Sequence, residues 1–149
     1  MLFRSPSPSA VPRLTEMGVE PFLVGSAMDS VLAQRLARRL CPKCKDPYQP
    51  TPLELEHSHF PWVPGEPVPE LYRPVGCPSC ARTGYKGRLA LHELMLVGED
   101  IERLAVSRSS GTDIGKVARA HGMVSLRDDG WTKVRQGITS IAEILRVVS

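Results

Sequence analysis

Cys41-Pro-Lys-Cys44 and Cys77-Pro-Ser-Cys80 are the stretches around which this chain is organised. They stand 32 residues apart and hold all 4 cysteines of its 149 residues. A Cys-x-x-Cys turn directs two sulfurs at one ion, and two such turns supply the four ligands of a tetrahedral site. The pattern predicts one zinc held by Cys41, Cys44, Cys77 and Cys80. A redox pair or a disulfide framework is the competing use. A thioredoxin-type pair sits at a strand-to-helix junction of a βαβ unit, whereas these turns bracket a proline-rich stretch. The opening Met1-Leu-Phe-Arg-Ser-Pro-Ser-Pro8 lacks the apolar run of a secretory signal, so a reducing cytoplasm, where thiols stay available for metal, is expected.

Upstream of the first knuckle, residues 1–12 are rich in Ser and Pro and offer no periodic apolar face, which predicts an irregular leader. A short helix is expected from about Ala10 to Met17, stopped by Gly18. A longer helix is expected next, because Val31, Leu32, Leu36 and Leu40, with Ala33 and Ala37, recur at i+4 and i+8. On that helix Arg35, Arg38 and Arg39 would form a cationic stripe leading to Lys43 and Lys45. A solvated helix face accounts for such a stripe as readily as contact with an anion does.

Between the knuckles, residues 42–78 carry ten of the 14 prolines, which forbids a long helix or a central strand. One short helix is legible, because Thr51-Pro52-Leu53-Glu54 supplies a cap, a proline for the first turn and a glutamate at the capping-box position. His57 and His59 are expected on the surface, and Phe60-Pro-Trp-Val-Pro64 in a small satellite core. After Cys80 the glycines at 84 and 87 mark a turn, and Leu89 and Leu91 alternate with Ala90 and His92 as a half-buried strand does. Amphipathic helices follow around Ile101, Leu104 and Ala105, and around Ile114, Val117, Ala118 and His121. Two more are opened by Ser125 with Asp128 and by Ser140 with Glu143, the last burying Ile141, Ile144, Leu145 and Val148. The class expected is α+β, closed by a small helical bundle.

The formal charge of +3 falls to +1 once four thiolates and one Zn²⁺ are counted, so global charge argues for no nucleic-acid role. No apolar run reaches the length of a membrane span, and a soluble protein is expected. Catalytic chemistry is sparse. Gly111-Thr-Asp-Ile-Gly115-Lys116-Val117 falls short of a phosphate loop, having three residues between its glycines and no hydroxyl at the end. Asp128 and Asp129 fit a helix's first turn rather than a metal-binding strand. Adjacent strand residues such as His92 and Glu93 face opposite ways and cannot share a site.

The order of motifs closely resembles the C-terminal part of the type II secretion and type IV pilus assembly ATPases, the secretion traffic ATPase family. The residues that carry the resemblance are Arg13-Leu-Thr-Glu-Met-Gly-Val-Glu-Pro-Phe-Leu-Val24, Gln34-Arg-Leu-Ala-Arg-Arg-Leu-Cys-Pro-Lys-Cys44, and Gly76-Cys-Pro-Ser-Cys-Ala-Arg-Thr-Gly-Tyr-Lys-Gly-Arg88. Gly122-Met-Val-Ser-Leu-Arg-Asp-Asp-Gly130 and Gly137-Ile-Thr-Ser140 continue it. The resemblance implies a cytoplasmic motor at the inner membrane, hexameric, that couples ATP hydrolysis to building or retracting pilus-like fibres. Residues 13–40 would be the end of a RecA-like ATPase core, 41–88 a zinc-binding subdomain, and 89–149 a C-terminal strand and helical region. The family's phosphate loop, acidic box and histidine box have no counterpart here. The resemblance therefore implies a truncated member, a gene fragment or a split subunit, that does not hydrolyse ATP alone; ATP and Mg²⁺ belong to the full-length family.

Two functions follow as expectations. The first is a zinc-stabilised module of a secretion or pilus ATPase that contacts its subunits or an inner-membrane platform protein, with Arg35, Arg38 and Arg39 reaching a neighbour's nucleotide phosphates. The second is a free-standing zinc ribbon that binds nucleic acid through Lys43, Lys45, Arg73, Arg82, Lys86 and Arg88. The low aromatic content, 5%, leaves few platforms for stacked bases and disfavours the second.

Overall fold

The computed structural model describes residues 6–148. Its contacts divide the chain into two units, Met1–Gln34 with His92–Leu126, and Arg35–Leu91 with Arg127–Ser149. The chain passes between them inside β1 (Ser30–Leu40) and inside β4 (Tyr85–Leu96), which are hydrogen-bonded to one another.

In the first unit a 3-10 turn, Ser7–Ser9, leads into α1 (Ala10–Glu16), followed by α2 (Pro21–Ala27), α4 (Glu99–Val106) and α5 (Gly111–Ala120). The expected irregular leader is therefore structured over 6–12, with Ser7, Pro8 and Val11 buried; residues 1–5 of it lie outside the described residues. Val11, Val24, Met95, Ile101, Ala105, Ile114 and Ala118 form the core, one or two from each element. Gly25 lets α2 approach α4, since a Cβ there would stand 3.3 Å from the Glu102 Cα. Glu99, Asp100 and Glu102 open α4, where negative charge suits the helix dipole.

The second unit contains the end of β1, the start of β4, and a small antiparallel pair, β2 (Asp46–Tyr48) with β3 (Leu71–Arg73), in the register Pro47↔Tyr72. It also holds α3 (Pro52–His57), α6 (Leu126–Arg135) apart from its first residue, and α7 (Ile141–Val148). Thr51 caps α3 as anticipated, its side chain accepting from the Glu54 N–H. The Glu54 carboxylate does not complete a capping box but accepts from the Tyr48 hydroxyl at 2.8 Å. Phe60 is buried and meets Trp131 edge-on, with ring centroids 5.4 Å apart, but Pro61, Val63 and Pro64 are exposed and Trp62 is half-buried, so of the satellite core expected over Phe60–Pro64 only Phe60 is in place.

The long helix expected over Val31–Leu40 is corrected: this segment is β1. Spacing of i+4 is even, so it keeps residues on one face of a strand just as it nearly does on a helix, and only i+3 contacts would have distinguished them. The strand turns Leu32 and Leu36 outward, 60% and 51% exposed, while Ala37 is buried. Pairing with β4 overrides the helix propensity of Leu, Ala, Gln and Arg.

The four expected C-terminal helices are present, but the units divide them, α4 and α5 in one and nearly all of α6 with α7 in the other. On α7 the buried face is Ile141, Glu143, Ile144 and Val147, and Leu145 is turned outward at 36% exposure, contrary to expectation. Helix and strand are thus mixed as an α+β chain requires. Among the described residues no helix is long and apolar enough to cross a membrane.

Candidate metal centre

One proline stands second in each knuckle, Pro42 and Pro78, and two glycines let the loops close on one another. Cys44 N–H and Lys45 N–H both bond the Cys41 carbonyl, and Cys80 N–H and Arg82 N–H the Cys77 carbonyl, so each pair of cysteines sits on a tight turn. The turns are joined by Cys41 N–H donating to the Gly84 carbonyl at 2.9 Å. Gly76 and Gly84 have φ of 107° and 78°, in the left-handed region. A Cβ would stand 2.5 Å from the Arg82 carbonyl oxygen in the first case and 2.4 Å from the Pro74 Cβ in the second. No other residue fits either position without moving backbone.

The result brings all four Sγ atoms within 4.8 Å of one another. Cys41 and Cys77 are 3.9 Å apart, Cys44 and Cys80 3.8 Å, and Cys77 and Cys80 3.8 Å. Four sulfurs placed about 2.3 Å from a tetrahedral ion stand about 3.8 Å apart. The backbone also supplies the donors a thiolate cluster needs. Gly76 N–H points at Cys44 Sγ, at 3.3 Å, and the N–H groups of Cys77 and Gly84 at Cys80 Sγ, at 3.2 and 3.3 Å.

Those donors act on the thiols. The Cys77 N–H, joined by that of Gly84, draws the Cys80 thiol down to about 6 against the opposing effect of burial. Burial pushes Cys44 up to about 11, assisted by its three sulfur neighbours and opposed by the Gly76 N–H. One thiolate held at Cys80 resists a second charge alongside it, and a cation removes that resistance, so metal capture here releases protons. Sulfur spacing, amide donors and thiol chemistry together make this cluster able to hold a metal ion.

The other candidate residues are distributed more widely. His57 and His59 are exposed, as expected, and neither belongs to the cysteine cluster. Arg35, Arg38 and Arg39 do not form one stripe, because on a strand Arg38 faces away from its neighbour. Arg38 binds Glu143 through Nε and a terminal nitrogen, at 3.1 and 2.9 Å, and lies over the Tyr85 ring at 4.2 Å. Arg35 donates to the Val147 carbonyl at 2.9 Å, and Arg39 is exposed. Of the six cations considered for nucleic acid, Lys45 donates to the Gly137 carbonyl, just past α6, and covers the Tyr72 ring, and Arg73 pairs with Asp46. Lys43, Arg82, Lys86 and Arg88 are exposed. The near-miss phosphate loop is an ordinary helix start, with Ser110 accepting from the Asp113 N–H and Lys116 paired to Asp113.

Glu143 was legible only as a capping residue. It is fully buried and takes Arg38 and Arg146 on its two oxygens, together with the Arg38 N–H at 2.8 Å. Burial alone would raise its carboxyl, but the guanidinium hydrogen bonds of Arg146 and Arg38 more than reverse this and hold it at about 2. Tyr85 and Ser140 join the same network at 2.7 Å. A glutamate on an otherwise apolar helix face, among Ile141, Ile144 and Val147, was the available signal.

Comparison with known proteins agrees with the motif order. A family model described as Type II/IV secretion system protein matches residues 5–146. The Type II secretion system ATPase E of Vibrio cholerae is 47% identical over 138 residues, covering 93% of this chain and 27% of that protein. The Type IV pilus assembly ATPase PilB of Thermus thermophilus is 44% identical over 136 residues, 91% of this chain and 15% of that protein. The Type II secretion system protein HxcR of Pseudomonas aeruginosa is 43% identical over 139 residues, 93% of this chain and 25% of that protein. The chain thus spans roughly a quarter or less of the length of these relatives.

Proposed function

The chain belongs to the type II/IV secretion system protein family, and we propose that it is the zinc-holding C-terminal part of a secretion or pilus assembly ATPase, acting by contact and not by its own ATP turnover. The observation that carries this reading is the four-sulfur cluster with tetrahedral spacing inside a chain of that family. Zinc is the metal proposed, because four thiolates on two Cys-x-x-Cys turns are its usual structural site. Residues 41–88 are the zinc-binding subdomain, 13–40 the end of a RecA-like core, and 89–149 the C-terminal strand and helices. The partners proposed are subunits of a hexameric ATPase and an inner-membrane platform protein, at the cytoplasmic face of that membrane. Two relatives whose names include the word ATPase cover nearly all of this chain, which supports the assignment.

Bound zinc would supply the cross-link between two turns that bury little apolar surface, and the chain's residues would do the rest. Cys41 and Cys44 tie the end of β1, and Cys77 and Cys80 the approach to β4. Of the arginines proposed to meet a neighbour's nucleotide phosphates, Arg39 has the strongest case, since Glu143 already occupies Arg38. Metal analysis of the purified chain beside its Cys77→Ser variant, with an ATPase assay on both, tests the reading. One zinc per chain, lost in the variant, with no turnover in either, is expected. A metal-free native chain removes the zinc assignment, and ATP hydrolysis by the chain alone removes the contact-only role.

A further inference from the structure

Glu93 lies outside the metal centre, on the buried face of β4, and its partner is 86 residues away. One carboxylate oxygen accepts both the backbone N–H of Ser7, at 2.6 Å, and its hydroxyl, at 2.7 Å. The other accepts the Leu126 N–H more weakly, at 3.4 Å. Ser7 is 2% exposed and Glu93 4%, so these are bonds to a carboxylate withdrawn from water. An acceptor-only group that takes an N–H and an O–H from one residue selects serine or threonine.

The helix opposite is shaped for the same turn. Gly111 and Gly115 begin successive turns of α5, and neither adopts a left-handed conformation. Glycine costs a helix about 1 kcal/mol relative to alanine, so backbone conformation does not account for the pair. At Gly111 packing does, since a Cβ there would stand 3.2 Å from the Ser9 Cα; one on Gly115 would meet the Pro8 Cγ at 3.4 Å, an ordinary contact. The docked turn is also closed by its own bonds, the Ser9 N–H and hydroxyl both donating to the Pro6 carbonyl, at 3.0 and 2.6 Å. Beside it remains a cavity of about 430 Å³ lined by Pro8, Glu93, Thr112, Gly115, Arg119 and Met123, which shows that the turn fills only part of a groove.

We infer that this groove is a peptide-binding site for a Pro-Ser-Pro turn, read by Glu93 and by Gly111 of α5, and that the chain occupies it in cis with residues 6–9. The metal centre plays no part in it, so the two assignments stand or fall separately. Tethering gives the cis turn an effective concentration in the millimolar range, which a free peptide must overcome.

The test uses the full chain, its Ser7→Ala variant and the synthetic peptide Pro-Ser-Pro-Ser-Ala, which copies residues 6–10. In Ser7→Ala, amide exchange at positions 7 and 9 should accelerate about tenfold or more. The peptide should then shift the amide resonances of Gly111, Gly115 and Met123 saturably. The same peptide with alanine for its first serine should bind several-fold more weakly, and the unsubstituted chain should respond less than the variant. Unchanged exchange in Ser7→Ala, equal binding of the two peptides, or shifts away from α5 and β4 would overturn the inference. Should Ser7→Ala fail to fold, Gly111→Ala decides: loss of protection at the Ser7 and Ser9 amides with the remaining α5 protection kept supports the site, and undisturbed protection refutes it.

Discussion

Residues 74–84 and the α4–α5 pair are held by opposite means. Helices α4 and α5 contribute Ile101, Ala105, Ile114 and Ala118 to an apolar cluster, each 3% exposed or less. Residues 74–84 bury only Cys80 and Gly84, and expose Val75 at 60%. They also carry Ala81 and Arg82 in left-handed conformations, at φ of 52° and 61°, which cost a non-glycine residue on the order of 1 kcal/mol each. A segment with so little burial and two strained residues needs another source of stability. Four converging sulfurs able to hold a metal ion would supply one. The comparison teaches that the same chain is held by burial where it is helical and, on the proposed zinc reading, by coordination where proline and glycine forbid regular structure.

Removing the metal with a strong chelator is the harshest way to break that contrast. Structural zinc contributes about 10–16 kcal/mol in small modules, so amide protection over 41–45 and 76–84 should collapse while α4 and α5 keep theirs. Equal loss in both, followed by hydrogen exchange, would show that the two regions do not differ as described. Next in size is Trp131→Ala, which empties the site where Phe60 packs. A cost of about 3–5 kcal/mol is expected in urea unfolding, as for other buried tryptophans, and a cost under about 1 kcal/mol would mean that the metal, not packing, carries this part too.

The mildest test is Glu143→Gln read against pH. The folded carboxyl at about 2 lies below its ordinary value of 4.5, so the native state binds fewer protons than the unfolded one in between. Its contribution is therefore complete above about pH 4.5 and is lost as pH falls towards 2. Because Arg38 and Arg146 are half exposed, 47% and 56%, screening reduces it to about 1–3 kcal/mol. Stability of the glutamine variant should vary less over that window, and parallel profiles would sink the ion-pair account.

Much of the metal centre was legible because its signal is local and chemical. Cysteine spacing, Pro42 and Pro78 inside the knuckles, and the glycine at 84 all sit within short stretches, and one structural reason explains each. The cap at Thr51 was readable likewise, since an N-cap bond spans three residues. β1 was not, because its apolar residues lie at even spacings common to both periodicities and its pairing partner begins 45 residues later. The Arg38–Glu143 and Ser7–Glu93 bonds were equally hidden, with sequence separations of 105 and 86.

By itself, then, the sequence determined what depends on near neighbours: the four sulfur ligands, the turns that carry them, the helices after residue 99 and the family order of motifs. Only the tertiary structure decided that Val31–Leu40 is a strand, that α4–α5 and α6–α7 belong to different units, and which buried carboxylate meets which donor. A local pattern is stabilised within one or two turns of chain, whereas strand pairing and buried ion pairs exist only once distant segments have met.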